Sequence, residues 1–212
     1  DAPYSLETLE IVDQLLSAET EAGFPGAQLV IIKDGIMIKN SAYGVISKVD
    51  SAGNPLDEVI PVTEKTLFDL ASNTKMYAVN FAVQTLISER QLTLTDTIHS
   101  FFPQFIDAKK SKIKGKPDIT VFDLLTHQSG FPAGSPYSQK IAKLKNLAEK
   151  NNREHTLDLI METPLVYQPR TAMIYSDINY ILLAYIIEKV TGMGLEDYVA
   201  DNFYRPLGLD RI

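Results

Sequence analysis

Ser72 and Lys75, in the stretch LFDLASNTKMYAVNFAVQTLIS, sit on the side that a helix would bury. Residues at this spacing are neighbours on one helix face, so the lysine amine can reach the serine hydroxyl and take its proton. The start of a helix adds free backbone N–H groups and a partial positive charge, both suited to an oxyanion. To act as a base near neutral pH, Lys75 needs a pKa about 3 units below the usual ~10.4, which partial burial can supply. Ser-x-x-Lys alone is a weak pattern, with roughly one copy expected by chance in a chain of this length. Two copies are present, Ser72–Lys75 and Ser111–Lys114. Ser111 lies in DAKKSKIKGKPD, read as a solvated surface loop. Ser72 lies where an extended segment, TLFDLA, meets an amphipathic helix. The competing reading makes Ser72 an N-cap and lets Lys75 reach out to water.

A second polar cluster, Tyr175-Ser176-Asp177, precedes the strongly apolar run INYILLAYIIEKVTG. It too has a plain reading: Ser176 or Asp177 as N-cap and Tyr175 as a hydrophobic staple. A Ser-His-Asp hydrolase would need His99, His127 or His155, but no Gly-x-Ser-x-Gly elbow is present. His127 is therefore read as a hydrogen-bonded structural residue. His-Glu-x-x-His, P-loop and Gly-x-Gly-x-x-Gly patterns are missing, which leaves metalloprotease, nucleotide and dinucleotide readings without support. The net charge of -7 argues against a general nucleic-acid binder. With no cysteine, disulfides and thiolate metal sites are excluded, and the compartment stays open.

The elements that must carry these residues are mostly helices. SLETLEIVDQLLSAETEAGFPG reads as a helix capped by Ser5, striped by Leu6, Leu9, Val12, Leu15 and Leu16, and stopped by Gly23. AQLVIIKDGIMIKNSAYGV reads as a hairpin turning at Asp34-Gly35. Beyond Ser72, the stripe Met76, Val79, Val83, Leu86 and Ile87 predicts a core helix. Thr120 and Asp123 form a capping-box-like pair, HTLDLIMETP a helix ending before Pro164, and Ile178, Ile181, Leu182, Tyr185 and Ile186 the stripe of a helix capped by Gly192. Two strands cannot make a stable sheet alone, so either the hairpin lies on helices or, as is preferred here, further strands are expected beyond Ile212.

Taken together, LFDLASNTK, DLLTHQSGFP, YQPRTAMIYSD and YRPLGL resemble, in the expected order, the serine β-lactamase and penicillin-binding protein superfamily on its class C-like branch. The wording is most similar to its D-alanyl-D-alanine carboxypeptidase members. The resemblance implies an α/β plus all-α, β-lactamase/transpeptidase-like fold. Residues 1–66 would be the N-terminal part of an antiparallel sheet domain, with only its first helix and hairpin present. Residues 67–192 would be a helical domain carrying both motifs, and 193–212 the start of the return to the sheet domain. The site would lie in the groove between the domains. Ser72 would be the acylated nucleophile, Lys75 would take or relay its proton, and Tyr175 would be the partner base. Asp177 and Asn73 would bind substrate or support the site, as Thr126, His127, Ser129 and Gly130 would from the helical domain.

The implied activity is that of a penicillin-binding DD-carboxypeptidase or endopeptidase on cell-wall peptides. An esterase, a class C-type β-lactamase and a catalytically degenerate sensor of peptidoglycan or penicillin are the alternatives. The ligand would be a peptidoglycan stem peptide or a β-lactam, with no metal, organic cofactor or nucleic acid. The protein would be exported by a bacterium to the periplasm or cell surface, with any membrane anchor outside this chain. Two departures bear on this. Position 177 is Asp where class C β-lactamases have Asn; its charge disfavours an anionic substrate and holds Lys75 charged. The family's third motif, Lys/His-Thr/Ser-Gly on a strand, does not follow Tyr175, since KVTG at 189–192 is a helix end. These residues alone are therefore expected to be weakly active or inactive.

Overall fold

The computed structural model describes residues 4–134, 136–143, 151–209 and 212. The chain forms two compact units, Asp1–Asp69 and Leu70–Ile212.

In the first unit, α1 (Leu6–Ala22) begins where the Ser5 hydroxyl accepts from Thr8 N–H, and it stops at Gly23. Strands β1 (Gly26–Lys33) and β2 (Ile36–Gly44) pair antiparallel, with a register shift at Ile31/Ile32. Asp34 and Gly35, at φ 51° and 77°, make the turn, a left-handed pair that Asp-Gly adopts readily. Asp13 of α1 ties the helix to β2 by accepting from Lys39 at 2.8 Å and from the Tyr43 hydroxyl at 2.5 Å. The predicted α1 stripe is only half used: Leu9, Val12 and Leu16 are partly covered, whereas Leu6 and Leu15 are exposed. Val30, Ile32, Ile36 and Met37 are exposed as well. One helix covers only part of a two-stranded sheet, which leaves apolar surface open. Among the described residues the sheet has these two strands alone.

In the second unit the core is helical. A 3₁₀ turn (Ala71–Asn73) leads into a π-helical stretch (Lys75–Asn80) and then α2 (Phe81–Ser88). Short α3 (Ile98–Phe101) and α4 (Val121–Leu125) follow, and both halves of the Thr120–Asp123 capping box form at α4. Next come α5 (Tyr137–Ile141) and α6 (Asn152–Glu162), the latter opened by an Asn151–Glu154 capping box. α7 (Asp177–Thr191) ends at Gly192 in the left-handed conformation, and α8 (Leu195–Val199) runs into a π-helical turn (Ala200–Tyr204). Val83, Leu86, Leu124, Leu182, Leu183, Ile186 and Tyr198 meet in one core.

Three sequence expectations are corrected here. Met76 is exposed, although Val79, Val83 and Leu86 are buried. The π-helical stretch has i→i+5 bonds and more residues per turn, so a 3.6-residue stripe drawn back from α2 misplaces Met76. On α7 the fully buried residues include Ile178, Asn179, Leu182, Leu183, Ile186 and Ile187, while Ile181 and Tyr185 are only partly covered. The third concerns the lysine-rich loop, which is not wholly solvated. Lys116 is 3% exposed, with its ammonium 5.3 Å from the Phe105 ring centroid and donating to Met161 O at 2.7 Å. It thereby satisfies a carbonyl in the last turn of α6, the end that favours a cation.

Candidate active site

Ser72, Lys75 and Tyr175 converge. Lys75 Nζ donates to Ser72 Oγ at 3.1 Å, and the Tyr175 hydroxyl donates to the same oxygen at 2.9 Å. Lys75 also donates to Asp177 Oδ1 at 2.7 Å, and its Nζ lies 4.9 Å from the Tyr175 ring centroid. Ser72 is not buried; it stands exposed on the 3₁₀ turn, directly after Ala71 at φ 44°. A left-handed alanine is uncommon and strained, and such strain gathers where a side chain has to be presented. The competing readings fail on geometry. Ser72 lies within the 3₁₀ turn, not at its N-cap, Leu70, and the Lys75 side chain is only 15% exposed.

The second Ser-x-x-Lys copy makes no such pair. Lys114 Nζ donates to Ala108 O instead. Asn73, expected to support the site, is exposed; its N–H donates to Leu70 O, and its side chain has no hydrogen bond among the described residues.

The charges are arranged around Lys75. Burial pulls its ammonium pKa down, but the hydrogen bonds to Asp177 and Tyr175 outweigh burial and hold the pKa above its ordinary value. Of the two expectations for Lys75, neutral through burial or charged through Asp177, the second prevails: a carboxylate at 2.7 Å keeps the proton on it. Tyr175 moves the other way. Its hydrogen bonds with Lys75 and Ser72 pull the phenol pKa below the usual value. The Lys75 ammonium beside the phenol thus favours its ionised form over that of a free tyrosine. Asp177 remains exposed beyond its bond to Lys75. A pocket of ≈ 430 Å³ opens beside the ion pair, walled by Val79, Ile181, Ala184 and Leu195. Among the described residues no group of three or more histidine or acidic side chains is placed to hold a metal ion.

Tyr175 is held by a neighbouring strip of backbone. Val166 N–H donates to Gly130 O at 2.8 Å, Arg170 N–H to Gln128 O at 2.8 Å, Ile174 N–H to His127 O at 3.0 Å and Asp177 N–H to Ala133 O at 3.0 Å. Residues 127–133 thus form a rail for residues 166–177. Gly130 permits the close approach: its φ is 90°, and a Cβ there would lie 2.5 Å from Tyr167 O. At the far end of the rail, the buried Asp123 carboxylate accepts from Arg170 Nη2 at 2.7 Å and from Arg170 Nε. Ser176 occupies the N-cap position of α7, but its hydroxyl donates to Pro132 O at 2.6 Å rather than capping the helix.

The beta-lactamase family profile matches residues 12–212. This chain belongs to the beta-lactamase family. A relative from Escherichia coli (strain K12), named "Putative D-alanyl-D-alanine carboxypeptidase", is 41% identical over 208 residues, 98% of this chain and 47% of its own length. An "N-acetylmuramyl-L-alanine amidase" from Bacillus subtilis (strain 168) is 41% identical over 218 residues, 98% of this chain and 46% of its own. The chain therefore spans about half the length of these curated relatives. Among solved structures, the octameric penicillin-binding protein homologue from Pyrococcus abyssi has a TM-score of 0.71 at 28% identity, covering 98% of this chain and 44% of that one. The hydrolase EstCE1 has a TM-score of 0.74 at 22% identity, covering 95% and 52%, a likeness of fold alone. The fold is β-lactamase/transpeptidase-like, and the family lies within the serine hydrolase superfamily.

Several residues around the beta-lactamase-family motifs went unread in the sequence. Asn179 is fully buried on α7, where its Oδ1 accepts from Ser129 Oγ at 2.6 Å and its Nδ2 lies 3.1 Å from His127 Nδ1. An amide among the core positions of an apolar helix was the available signal, since a buried polar group needs partners. Arg170 and Asp123 each sat in a quoted motif, but 47 residues of separation hid their pairing.

Proposed function

We propose that this chain carries the acylation apparatus of a serine hydrolase that cleaves cell-wall peptides through an acyl-enzyme on Ser72. The reading is that of a penicillin-binding DD-carboxypeptidase or endopeptidase. The observation that carries it is the meeting of Lys75 Nζ and the Tyr175 hydroxyl on Ser72 Oγ, at 3.1 and 2.9 Å. In the proposed reaction the Tyr175 phenol, its pKa lowered beside the Lys75 ammonium, first releases its proton to solvent; Ser72 Oγ then bonds to the substrate carbonyl carbon as its own proton passes to the phenolate. The C–N bond then breaks, and the leaving amine takes that proton from Tyr175. Water repeats the sequence on the ester, with Tyr175 again as base, and releases the acid. Lys75 stays charged throughout and stabilises the phenolate. The names of the two curated relatives, one a D-alanyl-D-alanine carboxypeptidase and one an N-acetylmuramyl-L-alanine amidase, support cell-wall amides as the substrate class. That substrate in turn implies a periplasmic or cell-surface protein.

Asp177 favours a second reading, an esterase for neutral substrates, because its exposed carboxylate cancels the Lys75 charge. The deciding experiment is intact mass of the full-length protein after incubation with a penicillin. A stable adduct on Ser72 supports the peptidase. Turnover of p-nitrophenyl esters without an adduct supports the esterase, and rapid hydrolysis of a chromogenic cephalosporin a β-lactamase. Neither labelling nor turnover leaves the sensor.

Asp177→Asn is expected to speed penicillin labelling by about tenfold or more, equivalent to ~1.4 kcal/mol of barrier. The amide removes a negative charge facing an anionic β-lactam, while the Tyr175 contact still favours the Lys75 ammonium. Labelling that is unchanged or slower in this variant would show that the carboxylate does not set the preference.

A further inference from the structure

We propose that neutral His127 is the positioning residue that holds the Tyr175 phenol on Ser72, and that protonating it disables the site in acid. The inference rests on Tyr175 being the base for Ser72. His127 grips the Tyr175 turn at three points. Its carbonyl accepts Ile174 N–H at 3.0 Å, and its Nδ1 accepts Ser176 N–H at 3.1 Å. Its ring lies against the Tyr175 ring, with centroids 4.6 Å apart and planes tilted by 39°. Tyr180 backs the imidazole at 5.2 Å, and Tyr180 is itself anchored by its hydroxyl to Asn80 Oδ1 at 3.2 Å. The residues on either side of Tyr175, and its ring, are all fixed by this one histidine.

The hydrogen-bond pattern fixes the tautomer. Ser176 N–H can only donate, so Nδ1 carries the lone pair and the ring proton sits on Nε2. The Asn179 side chain lies 3.1 Å from the same nitrogen, and its Oδ1 is taken by Ser129, so its amide presents an N–H as well. An imidazolium would set a third N–H against these two donors. Both bonds would be lost, and the Ser176 backbone would be freed beside the phenol.

The ionisable groups facing the ring agree with a neutral state. Burial depresses the His127 pKa first, and the Lys75 ammonium depresses it further. Asp177 at the start of α7 opposes them without prevailing. The remaining titratable neighbours are the phenols of Tyr175, Tyr180 and, at the backbone carbonyl, Tyr167. The His127 backbone, at φ 56°, is in the left-handed region, which asparagine also tolerates. Asn offers an Oδ1 acceptor close to the place of Nδ1 and does not titrate.

The test uses the full-length chain with isotope-labelled histidine, followed by NMR from about pH 8 down to about pH 4. His127 is expected as the Nε2–H tautomer with a midpoint below the ordinary imidazole value, and the Ser176 amide resonance should move with that midpoint. The rate of Ser72 acylation should gain an additional acid limb at the same pH. His127→Asn should lower the neutral-pH rate by up to about tenfold, because the aromatic stack is lost, yet abolish the extra limb and the Ser176 transition. An Nδ1–H tautomer, a Ser176 amide indifferent to the His127 titration, or an acid limb that survives in His127→Asn would each overturn the proposal. A Ser176 response that disappears in the variant, in a protein that never acylates Ser72, upholds the grip on the Tyr175 turn and overturns the acylation reading instead.

Discussion

Ser72→Ala is expected to abolish covalent labelling and to reduce turnover by roughly 10⁴-fold to 10⁶-fold, the range typical for loss of a catalytic nucleophile. The fall is this large because no neighbouring group can replace the hydroxyl. Lys75 is held protonated by Asp177, and an ammonium is not a nucleophile. The Ser111–Lys114 copy of the motif does not substitute for it, since Lys114 bonds backbone carbonyls at 108 and 109. Stability should scarcely change. Ser72 is exposed, the Lys75–Asp177 pair survives without it, and Tyr175, 51% exposed, can turn its hydroxyl to water. A shift within ~0.5 kcal/mol is expected. Intact mass with a penicillin and an activated ester, run beside a thermal melt, checks both halves. An adduct that persists in Ser72→Ala, or that disappears in Ser111→Ala, would place the nucleophile elsewhere.

Arg170→Ala should be the most damaging substitution away from Ser72. Asp123 is 1% exposed, and it accepts from Arg170 as well as from the N–H and hydroxyl of Thr120. Removing the guanidinium leaves a buried carboxylate without its cation, a change that costs about 3–5 kcal/mol when both partners are buried. The Arg170 side chain is 54% exposed, so solvent screening brings the expected loss to about 3 kcal/mol. Arg170→Lys should rescue only part of it, because an ammonium cannot reproduce the two-nitrogen grip.

The pH dependence follows from the direction of the Asp123 shift. Burial raises its pKa, but the hydrogen bonds from Arg170 and Thr120 prevail and hold it below the ordinary carboxylate value of 3.8. The pair therefore contributes its stability above that value and loses it as pH falls through the depressed pKa. Wild type and Arg170→Ala should differ most at neutral pH and converge in strong acid. Chemical denaturation across pH measures this directly. A difference that does not depend on pH would mean that Arg170 acts through packing alone. Acylation should weaken as well, because Arg170 fixes one end of the segment that delivers Tyr175.

The sequence was sufficient wherever local rules operate. Ser5, Asp34-Gly35, Thr120–Asp123 and Gly192 act through their own backbones, and each formed the cap or turn that its type and position dictate. The Ser72–Lys75 spacing belongs with them, since a single turn brings the two side chains together. Tyr175 and Asp177 were nominated by motif resemblance, while their distances to Ser72 and Lys75, across more than a hundred residues, depended on how the helices pack.

The tertiary structure decided between the two states of Lys75 that the sequence left open. Whether a lysine loses or keeps its proton depends on the balance of burial against a carboxylate at 2.7 Å, and that balance is set by packing. The same holds for Met76, displaced by a π-helical stretch; for Lys116, drawn inward to a helix end; and for His127, whose ring meets partners from a distant part of the chain. Local sequence fixes dihedral preference and face. Partner, burial and charge state are long-range quantities, defined only once the chain has closed on itself.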